Sequence, residues 1–491
     1  MNGFLLPKTA RPRLAAAPIV LAAACAILSA ASPARGGETV VIFGATMIDG
    51  LGGAPIPDTT LVLRDGRVAR IRPHREDAAT DEVNRIVDAR GRFVMPGLVD
   101  VGFHVLDNGT CGAVPWAAEH TIRALRIALA EGVTTALSLG ESLRAIDAVG
   151  ATIRNNPGAP RLERTGPILA AAGGYPTGAY PALARRRPPL LIGTEAEARA
   201  AVERVSAGGA LAVWIAADDR GPDLAPLAEL PLAVLTAARA EAHARGLRVL
   251  VRVQHAADWA VALRAGADAV VGVSLDPLEA DTIETLVRRR VWVISSLTPY
   301  EALATGRPEP SRAGSVRLGP KAWRDLTALA DGFARSERIE VDGATVSRRR
   351  AARGVVEAIR NLQRLRAAGA RVAIAGGGGE CLVLHGAPRA EMALLARAGF
   401  TPGEILRAAT HTGAAAIGME GRIGSLEVGK RADLLILRAD PTRSLDAYGT
   451  IEQVLVAGRP VPPEALGRSP RWWESAWLRA KIALAALLQR L

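Results

Sequence analysis

The chain has 491 residues, of which 49% are hydrophobic, so it can bury one large core and a smaller one without disulfides or metals for stability. Its formal net charge is +12, but the basic residues are scattered. The arginine triplets that begin at Arg185, Arg288 and Arg348 lack interleaved aromatic residues and are typical of solvated faces, so composition argues against nucleic-acid binding.

The first 34 residues have the three-part layout of a secretory signal peptide. The layout begins with three basic residues: Lys8, Arg11 and Arg13. An apolar, alanine-rich stretch from 14 to 31 follows, and then a small-residue cleavage site at 32–34. We therefore expect a mature chain that starts at Arg35 in the periplasm or outside the cell. An uncleaved membrane anchor and a lipoprotein modified at Cys25 are the alternatives.

Residues 35–95 contain short β-rich runs with turn residues between them, which predicts a small sheet. From Pro96 onward, short apolar strands alternate with segments of helical length, the pattern of a parallel α/β barrel. Eight strands are predicted: 99–104, 133–138, 167–172, 211–216, 248–254, 269–273, 291–296 and 371–376. Eight strands close a (β/α)8 TIM barrel, which we assign to residues 96–420. Residues 421–465 return to β character.

The tail, residues 466–491, is predicted to be an amphipathic helix rich in tryptophan. Its apolar residues recur at helical spacing and begin with Trp473 and Trp477. Three interpretations stay open: the helix packs on the barrel, lies on the membrane surface, or forms a contact in a homo-oligomer.

Several phrases in the chain carry a family resemblance. Residues 96–104 read Pro-Gly-Leu-Val-Asp-Val-Gly-Phe-His, residues 131–135 read Glu-Gly-Val-Thr-Thr, and a run from Gly421 to Leu434 ends the barrel region. On these phrases the sequence resembles the amidohydrolase superfamily, specifically its imidazolonepropionase- and prolidase-like branch. The resemblance implies a TIM barrel with a small β-sandwich domain built from both chain ends, residues 35–95 and 421–465.

The resemblance also implies a metal centre, with zinc or another divalent metal, that polarises a carbonyl group and activates a bridging water. Of the expected ligand and proton-shuttle positions, His104 is retained. The other positions carry residues that do not ligate metals: Gly102, Trp214, Arg252, Gly272 and Gly377. Because a catalytic zinc needs about three protein ligands, we expect no metal cofactor and impaired catalysis. A new metal site from His104, His385 and either Asp107 or Glu380 stays open.

The replacements suggest a different occupant for the barrel mouth. Trp214 and Arg252 are larger than the ligands they replace and are expected to refill the site. Arg252 places a cation where metal cations would bind, which favours a small anionic ligand. A glycine run after the last strand offers backbone N–H groups where barrels often bind phosphate: Gly376, Gly377, Gly378 and Gly379. Alternatively, Arg252 pairs with an internal carboxylate such as Asp100 or Glu380.

Two cysteines remain if the signal peptide is removed. Cys111 follows the first predicted strand and Cys381 follows the eighth. Those strands are neighbours in a closed barrel, and both loops leave the same face. In an oxidising compartment we expect a disulfide between these cysteines, against the alternative of two buried thiols.

Three functions are compatible with the sequence. The first is a catalytically silent member of the family in the cell envelope that binds a small ligand or a partner protein. The second is a hydrolase acting on carbon–nitrogen bonds with a mononuclear or metal-free site that uses His104, Arg252 and Tyr175. The third is an envelope interaction module that acts through the tail helix.

Overall fold

A computed structural model describes residues 38–73, 83–111, 118–153, 158–307, 320–386, 388–463, 465 and 480. The described residues from Thr39 onward belong to one compact unit. The predicted signal peptide lies outside the described residues, and so does the predicted tail helix apart from Ala480. Within the described ranges, no helix combines the length and the apolar character needed to span a bilayer.

The secondary-structure elements are numbered here in chain order. The strands are β1 (Thr39–Met47), β2 (Ile56–Arg64), β3 (Arg67–Pro73), β4 (Arg85–Asp88), β5 (Phe93–Pro96), β6 (Leu98–Phe103), β7 (Val133–Ser138), β8 (Arg161–Arg164), β9 (Leu169–Ala170), β10 (Leu190–Leu191), β11 (Ala212–Ala216), β12 (Arg248–Arg252), β13 (Ala269–Val271), β14 (Trp292–Ser295), β15 (Arg338–Val341), β16 (Ala344–Ser347), β17 (Arg371–Ile374), β18 (Leu434–Leu437), β19 (Ile451–Val456) and β20 (Arg459–Pro460). The helices are α1 (Ala118–Ala130), α2 (Leu143–Ile153), α3 (Pro181–Arg186), α4 (Glu195–Ala207), α5 (Leu232–Ala244), α6 (Ala256–Ala265), α7 (Ala280–Arg288), α8 (Thr298–Thr305), α9 (Pro320–Arg335), α10 (Arg348–Ala367), α11 (Pro388–Arg397), α12 (Pro402–Arg407) and α13 (Gly413–Ala416).

One mixed sheet combines strands from both ends of the described chain. Its order is β20-β19-β18-β5-β1-β2-β3, and β4 also pairs with β1. The two ends meet where β18 runs antiparallel to β5, with Leu434 opposite Pro96. Ile42, Leu61 and Leu434 are fully buried in the core of this sheet, and removing such apolar surface from water stabilises the pairing. The sheet therefore connects the segments that precede and follow the parallel strands.

The region between those segments is α/β with parallel strands. One parallel sheet has the order β10-β9-β11-β12-β13-β14-β17, and another contains β6, β7 and β8. Each predicted strand overlaps one observed strand, although in the third only Leu169–Ala170, which form β9, are in a strand. The third, 167–172, is wrong in part, because the chain pairs at β8 and again at β9. Gly166 has a φ of +73° and Pro167 has no backbone N–H, so this segment interrupts the ladder.

Hydrogen bonds join the two parallel sheets at two places. The backbone N–H of Leu211, just before β11, donates to the carbonyl oxygen of Arg164 in β8 at 2.8 Å. Beyond β17, the N–H of Gly377 donates to the carbonyl oxygen of Gly102 in β6 at 3.0 Å. Phe103 and Gly378 form a parallel bridge at the same edge. The ends of β6 and β17 therefore lie side by side.

Side chains along the parallel strands alternate between two buried surfaces. Trp214 belongs to an inner cluster with Leu250 and Ile294, whereas Val213 and Ile215 pack in a cluster with helix residues. Because both surfaces are apolar, each strand is a nearly continuous hydrophobic run. The alternation directs Trp214 and the last residue of β12 to the inner side.

The carboxyl group of Asp100 lies at the edge between β6 and β17. Its Oδ1 accepts hydrogen bonds from the N–H of Gly376 at 2.8 Å and of Gly102 at 3.1 Å. Burial raises the pKa of this carboxyl from 3.8 to about 6, against the lowering effect of those hydrogen bonds.

We predict that the Asp100 carboxyl group makes the free energy of unfolding fall as pH rises from about 4 to about 6. The folded chain holds the proton to a higher pH than the unfolded chain, so deprotonation favours unfolding across that interval. The Asp100→Asn variant keeps the acceptor and cannot ionise. The free energy of unfolding of wild type minus that of the variant should therefore decrease by on the order of 2 kcal/mol between pH 4 and pH 7 in urea titrations. A difference that does not change with pH would contradict the raised pKa.

Candidate functional site

A pocket of about 100 Å³ lies beyond the carboxyl ends of the parallel strands. We call it the inner pocket, and its wall includes His104, Tyr175, Arg187, Trp214, Arg252 and Glu380. Trp214 lies within β11, and the others end or follow β6, β9, β12 and β17 or come from the segment after α3. Active sites of parallel α/β proteins form at this edge, because the strand-to-helix loops converge there.

Close packing fills the space at the glycines that stand in the expected metal-ligand positions. A Cβ atom at Gly102 would lie 2.3 Å from the Cβ atom of Ala375. At Gly272 it would lie 2.2 Å from the carbonyl oxygen of Val253, and the φ of this glycine is +120°. Gly377 also has a positive φ, +66°. The glycines therefore leave no room for histidine or aspartate without movement of the backbone.

Trp214 fills the inner pocket from β11 and is 5% exposed. Its Cζ3 atom lies 2.5 Å from the place where a Cβ atom of Gly140 would be, so the ring needs a glycine there. The indole Nε1 is buried and has no hydrogen-bond partner among the residues that the structure describes. The sequence pattern gave no sign that Gly140 makes space for this ring.

Arg252 is the charged centre of the pocket. Its guanidinium carbon lies 3.7 Å from the centroid of the Tyr175 ring, a cation–π arrangement. The same group forms an ion pair with Asp218, whose side chain is 1% exposed. Asp100 and Glu380, the carboxylates suggested from sequence, are not its partners. Burial alone would lower the pKa of Arg252, but its interactions, led by that with Tyr175, raise it, so the group stays charged.

His104 lies between a carboxylate and a guanidinium group. Its Nε2 atom is 3.0 Å from Oε1 of Glu380, and its Nδ1 atom contacts both Nη1 of Arg187 and the carbonyl oxygen of Leu139. Arg187 in turn pairs with Asp107 at 2.8 Å. Burial raises the pKa of Asp107, but Arg187 and Arg186 outweigh this effect and hold it below its ordinary value. Both ring nitrogens of His104 therefore already face partners.

Arg187 was not singled out from sequence, where its triplet looked like a solvated face. That interpretation is wrong for this residue, which is 9% exposed and lines the inner pocket. Its Nε atom is buried without a hydrogen-bond partner in the described part of the chain. Asp218 was missed as well, although it follows the carboxyl end of β11 by two residues.

The other open suggestion, a new metal site, does not form. The Nε2 atom of His385 lies 2.9 Å from the carbonyl oxygen of His104, and burial lowers the pKa of His385 to about 4. Asp107 is paired with Arg187, and Glu380 with His104. Within the described ranges, no group of three or more His, Cys, Asp or Glu side chains is placed to hold a metal ion.

The glycine run after β17 uses its N–H groups inside the protein. Gly376 donates to Asp100, Gly377 donates to Gly102, and Gly379 donates to Val383. These three groups are therefore not presented to an anion, contrary to the suggestion from sequence. Gly378 lies in the bridge with Phe103.

Cys111 and Cys381 are joined by a disulfide, with their Cα atoms 4.3 Å apart. The bond connects the segment after β6 to the segment after β17, and both cysteines line the inner pocket. It closes a sequence separation of 270 residues, and a cross-link of this length restricts the unfolded chain strongly.

Comparison with known proteins places these features in a family. The model of the Amidohydrolase family matches residues 93–461. The chain belongs to the amidohydrolase family. An imidazolonepropionase from Symbiobacterium thermophilum is 27% identical over 435 residues, which cover 84% of this chain and 92% of that protein.

Solved structures of this amidohydrolase fold support the assignment to the imidazolonepropionase- and prolidase-like branch. A protein described as a prolidase from Bifidobacterium longum is 26% identical with a TM-score of 0.67, covering 91% of this chain and 99% of its own. A Xaa-Pro dipeptidase with bound methionine shares the fold at 18% identity and a TM-score of 0.68. The match covers 86% of this chain and 99% of the dipeptidase chain. Molinate hydrolase, which is 21% identical with a TM-score of 0.66, also shares the fold; the match covers 89% of this chain and 97% of the hydrolase chain.

The divalent metal centre implied by the family resemblance does not fit the side chains of this amidohydrolase. The positions predicted from sequence for its ligands carry Gly102, Trp214, Arg252, Gly272 and Gly377, and His104 already contacts Glu380 and Arg187. Arg252 brings a fixed positive charge that would repel a cation. Ion pairs between protein groups occupy this part of the pocket.

We predict that the Arg252–Asp218 pair is a structural unit. Arg252→Met should lower the free energy of unfolding by about 3–5 kcal/mol, because it leaves a buried carboxylate unpaired. Adding Asp218→Asn should recover most of that loss in urea-unfolding measurements.

Arg199→Met is the matched control, since Arg199 and its partner Glu195 are each about half exposed on α4. It should change stability by less than about 1 kcal/mol. An equally small effect of Arg252→Met would show that the buried pair has no structural role.

Proposed function

We propose that this amidohydrolase-family protein binds a small molecule with hydrogen-bond acceptors in its inner pocket, and that it does not catalyse metal-dependent hydrolysis. The ligand class is a small carboxylate or amide, whose oxygens accept from the pocket's N–H groups. A volume of about 100 Å³ suits a molecule of a few heavy atoms rather than a dipeptide.

The observation that carries this proposal is a pair of N–H donors in the pocket wall. Nε1 of Trp214 and Nε of Arg187 are both buried and have no partner within the described chain. A buried donor without a partner costs about 1–3 kcal/mol, and a ligand that accepts from both would remove that cost. Trp259 has a similar buried Nε1 atom, but it does not line the inner pocket.

The charges of the inner pocket are paired. Arg252 pairs with Asp218, Arg187 pairs with Asp107, and Arg186 contacts both Asp107 and Asp342. The anionic ligand expected from Arg252 is therefore one of two occupants that meet the donors, and a neutral carbonyl compound is the other. Titration with acetate and with acetamide distinguishes these two occupants.

We also infer that the two parallel sheets belong to one closed (β/α)8 barrel. The inference is supported by the hydrogen bonds of Leu211 with Arg164 and of Gly377 with Gly102, which lie at opposite edges of the sheet formed by β6, β7 and β8. Closure would enclose the inner cluster of Trp214 on all sides.

A hydrolase acting on carbon–nitrogen bonds is the second candidate function. It is favoured by the family and by the shared position of His104, Arg252 and Tyr175 in one pocket. In such an enzyme Glu380, in contact with Nε2 of His104, would orient the imidazole.

We predict that Trp214→Phe weakens the binding of acetate or acetamide by about 5- to 10-fold, because it deletes one N–H donor and keeps most of the ring. Ligand-observed NMR titrations of both compounds would measure the effect and show whether the pocket prefers the charged or the neutral one. Metal content of the same preparation should be well below one ion per chain.

Trp259→Phe is the control, because it also deletes a buried N–H group but lies outside the inner pocket. The Trp259→Phe variant should bind acetate and acetamide with the affinity of the wild type. Absence of saturable binding would contradict the ligand proposal. Stoichiometric zinc or manganese, or release of ammonia from acetamide, would favour the hydrolase.

We further propose that the protein acts in the cell envelope. The layout of residues 1–34 and the Cys111–Cys381 disulfide both support this location. The C-terminal tail is proposed as a peripheral membrane or oligomer contact on the spacing of its apolar residues.

The envelope proposal predicts the redox state of the cysteines. When the full chain is expressed in a Gram-negative host, protein from the envelope fraction should carry no alkyl group at Cys111 or Cys381 after treatment with iodoacetamide without reduction. A version that lacks residues 1–34 stays in the cytosol and should carry two. Mass spectrometry distinguishes the two states, and two adducts on the full-length product would argue against export.

A further inference from the structure

A larger cavity adjoins the inner pocket. We call it the outer cavity. It has a volume of about 700 Å³, within the range of ligand-binding cavities. Its walls come from α10 and from the segments that follow β12 and β13. Tyr180, Tyr300 and Leu303 line both cavities and separate them.

Part of the outer cavity is apolar. Leu275, Leu303 and Val346 line its wall. At its rim, Leu224 is 39% exposed and Val356 is 50% exposed. Large apolar side chains at the rim of a concave surface often mark a binding site, and here they would contact the apolar body of a ligand.

The outer cavity is also basic along α10. Arg350, Arg353 and Arg360 line it, and their consecutive spacings of 3 and 7 residues place them on one face of the helix. Arg360 pairs with Glu357 at 3.1 Å. Arg353 forms no ion pair or side-chain hydrogen bond with any residue in the described ranges, and it is exposed. An anionic group would find an uncompensated guanidinium there.

A polar atom without a partner lies in the same wall. His255 is 3% exposed, and its Nδ1 atom is 2.9 Å from Oδ2 of Asp276. Its Nε2 atom is buried and has no hydrogen-bond partner in the part of the chain that the structure describes. Asp276 also lies 3.6 Å from Arg220, so the acids of this cavity, Asp276 and Glu357, are both engaged.

We propose that the outer cavity is a second binding site, for an amphipathic molecule with an alkyl or aryl body and one carboxylate or phosphate group. The apolar body packs between Leu275, Leu303 and Val356. The anionic group pairs with Arg353, and Arg350 adds positive charge beside it. A carboxylate and a phosphate share this chemistry, because a guanidinium group donates two parallel hydrogen bonds to either.

Isothermal titration of the full-length protein with octanoate, octyl phosphate and octanol tests the proposal. Octanoate, octyl phosphate or both should bind saturably at one site per chain, and octanol should bind at least 10-fold more weakly than the better anion. The stronger of the two anions identifies the head group. Equal binding of octanol, or no saturable binding of any of the three, would overturn the proposal.

Arg353→Glu should weaken binding of the more tightly bound anion by at least about 10-fold. The substitution removes a charged hydrogen-bond donor and adds a negative charge that repels the ligand's anionic group. Arg349→Glu is the matched control: it makes the same charge change on α10, its side chain is 85% exposed, and it does not line the cavity. The control should stay within 2-fold of wild type. Equal losses in both variants would indicate a general charge effect and reject the site.

A second control separates this site from the inner pocket. Trp214→Phe should leave octanoate binding unchanged, and Arg353→Glu should leave acetate and acetamide binding unchanged. Failure of the acetate and acetamide titrations would reject the inner-pocket proposal without affecting this one. Loss of octanoate binding in Trp214→Phe would show that octanoate enters the inner pocket and would overturn the second site.

Discussion

The ion pair between Arg252 and Asp218 determines how the centre of this protein is organised. A guanidinium group at this depth is stable only when a carboxylate faces it, and Asp218, almost completely buried, supplies that charge. Tyr175 covers the other side of the guanidinium. Trp214 on β11 and the Arg187–Asp107 pair line the same pocket as Arg252.

Close packing leaves no room for larger side chains at three glycines near this pair. Ala375 closes on Gly102 and the backbone of Val253 closes on Gly272, while Trp214 occupies the space over Gly140. A cavity left by lost ligands would be destabilising in proportion to its volume. The packing of neighbours therefore leaves a small pocket with polar walls in place of a large void.

The two cavities differ in what they can recognise. The inner pocket is small and its charges are paired. The hydrogen-bond donors proposed to recognise a ligand there are the N–H groups of Trp214 and Arg187. The outer cavity is larger and has both an apolar rim and a guanidinium without a partner in the described chain, that of Arg353. Tyr300 lies between them, and burial raises its pKa to about 12, so it presents a neutral hydroxyl group at neutral pH.

The sequence by itself determined the family and most of the parallel strands, and it predicted which residues stand at the positions expected for metal ligands. These features follow from local phrases and from the two-residue period of a strand, which is independent of distant contacts. Only the tertiary structure decided that Asp218 pairs with Arg252, that Arg187 is buried, and that the N–H groups of Gly376, Gly377 and Gly379 are used internally. Those outcomes depend on which loops converge at the ends of the strands, and residues far apart in the chain set that geometry. Charge pairing and the loss of solvent are properties of the assembled pocket, so no local pattern of residues could specify them.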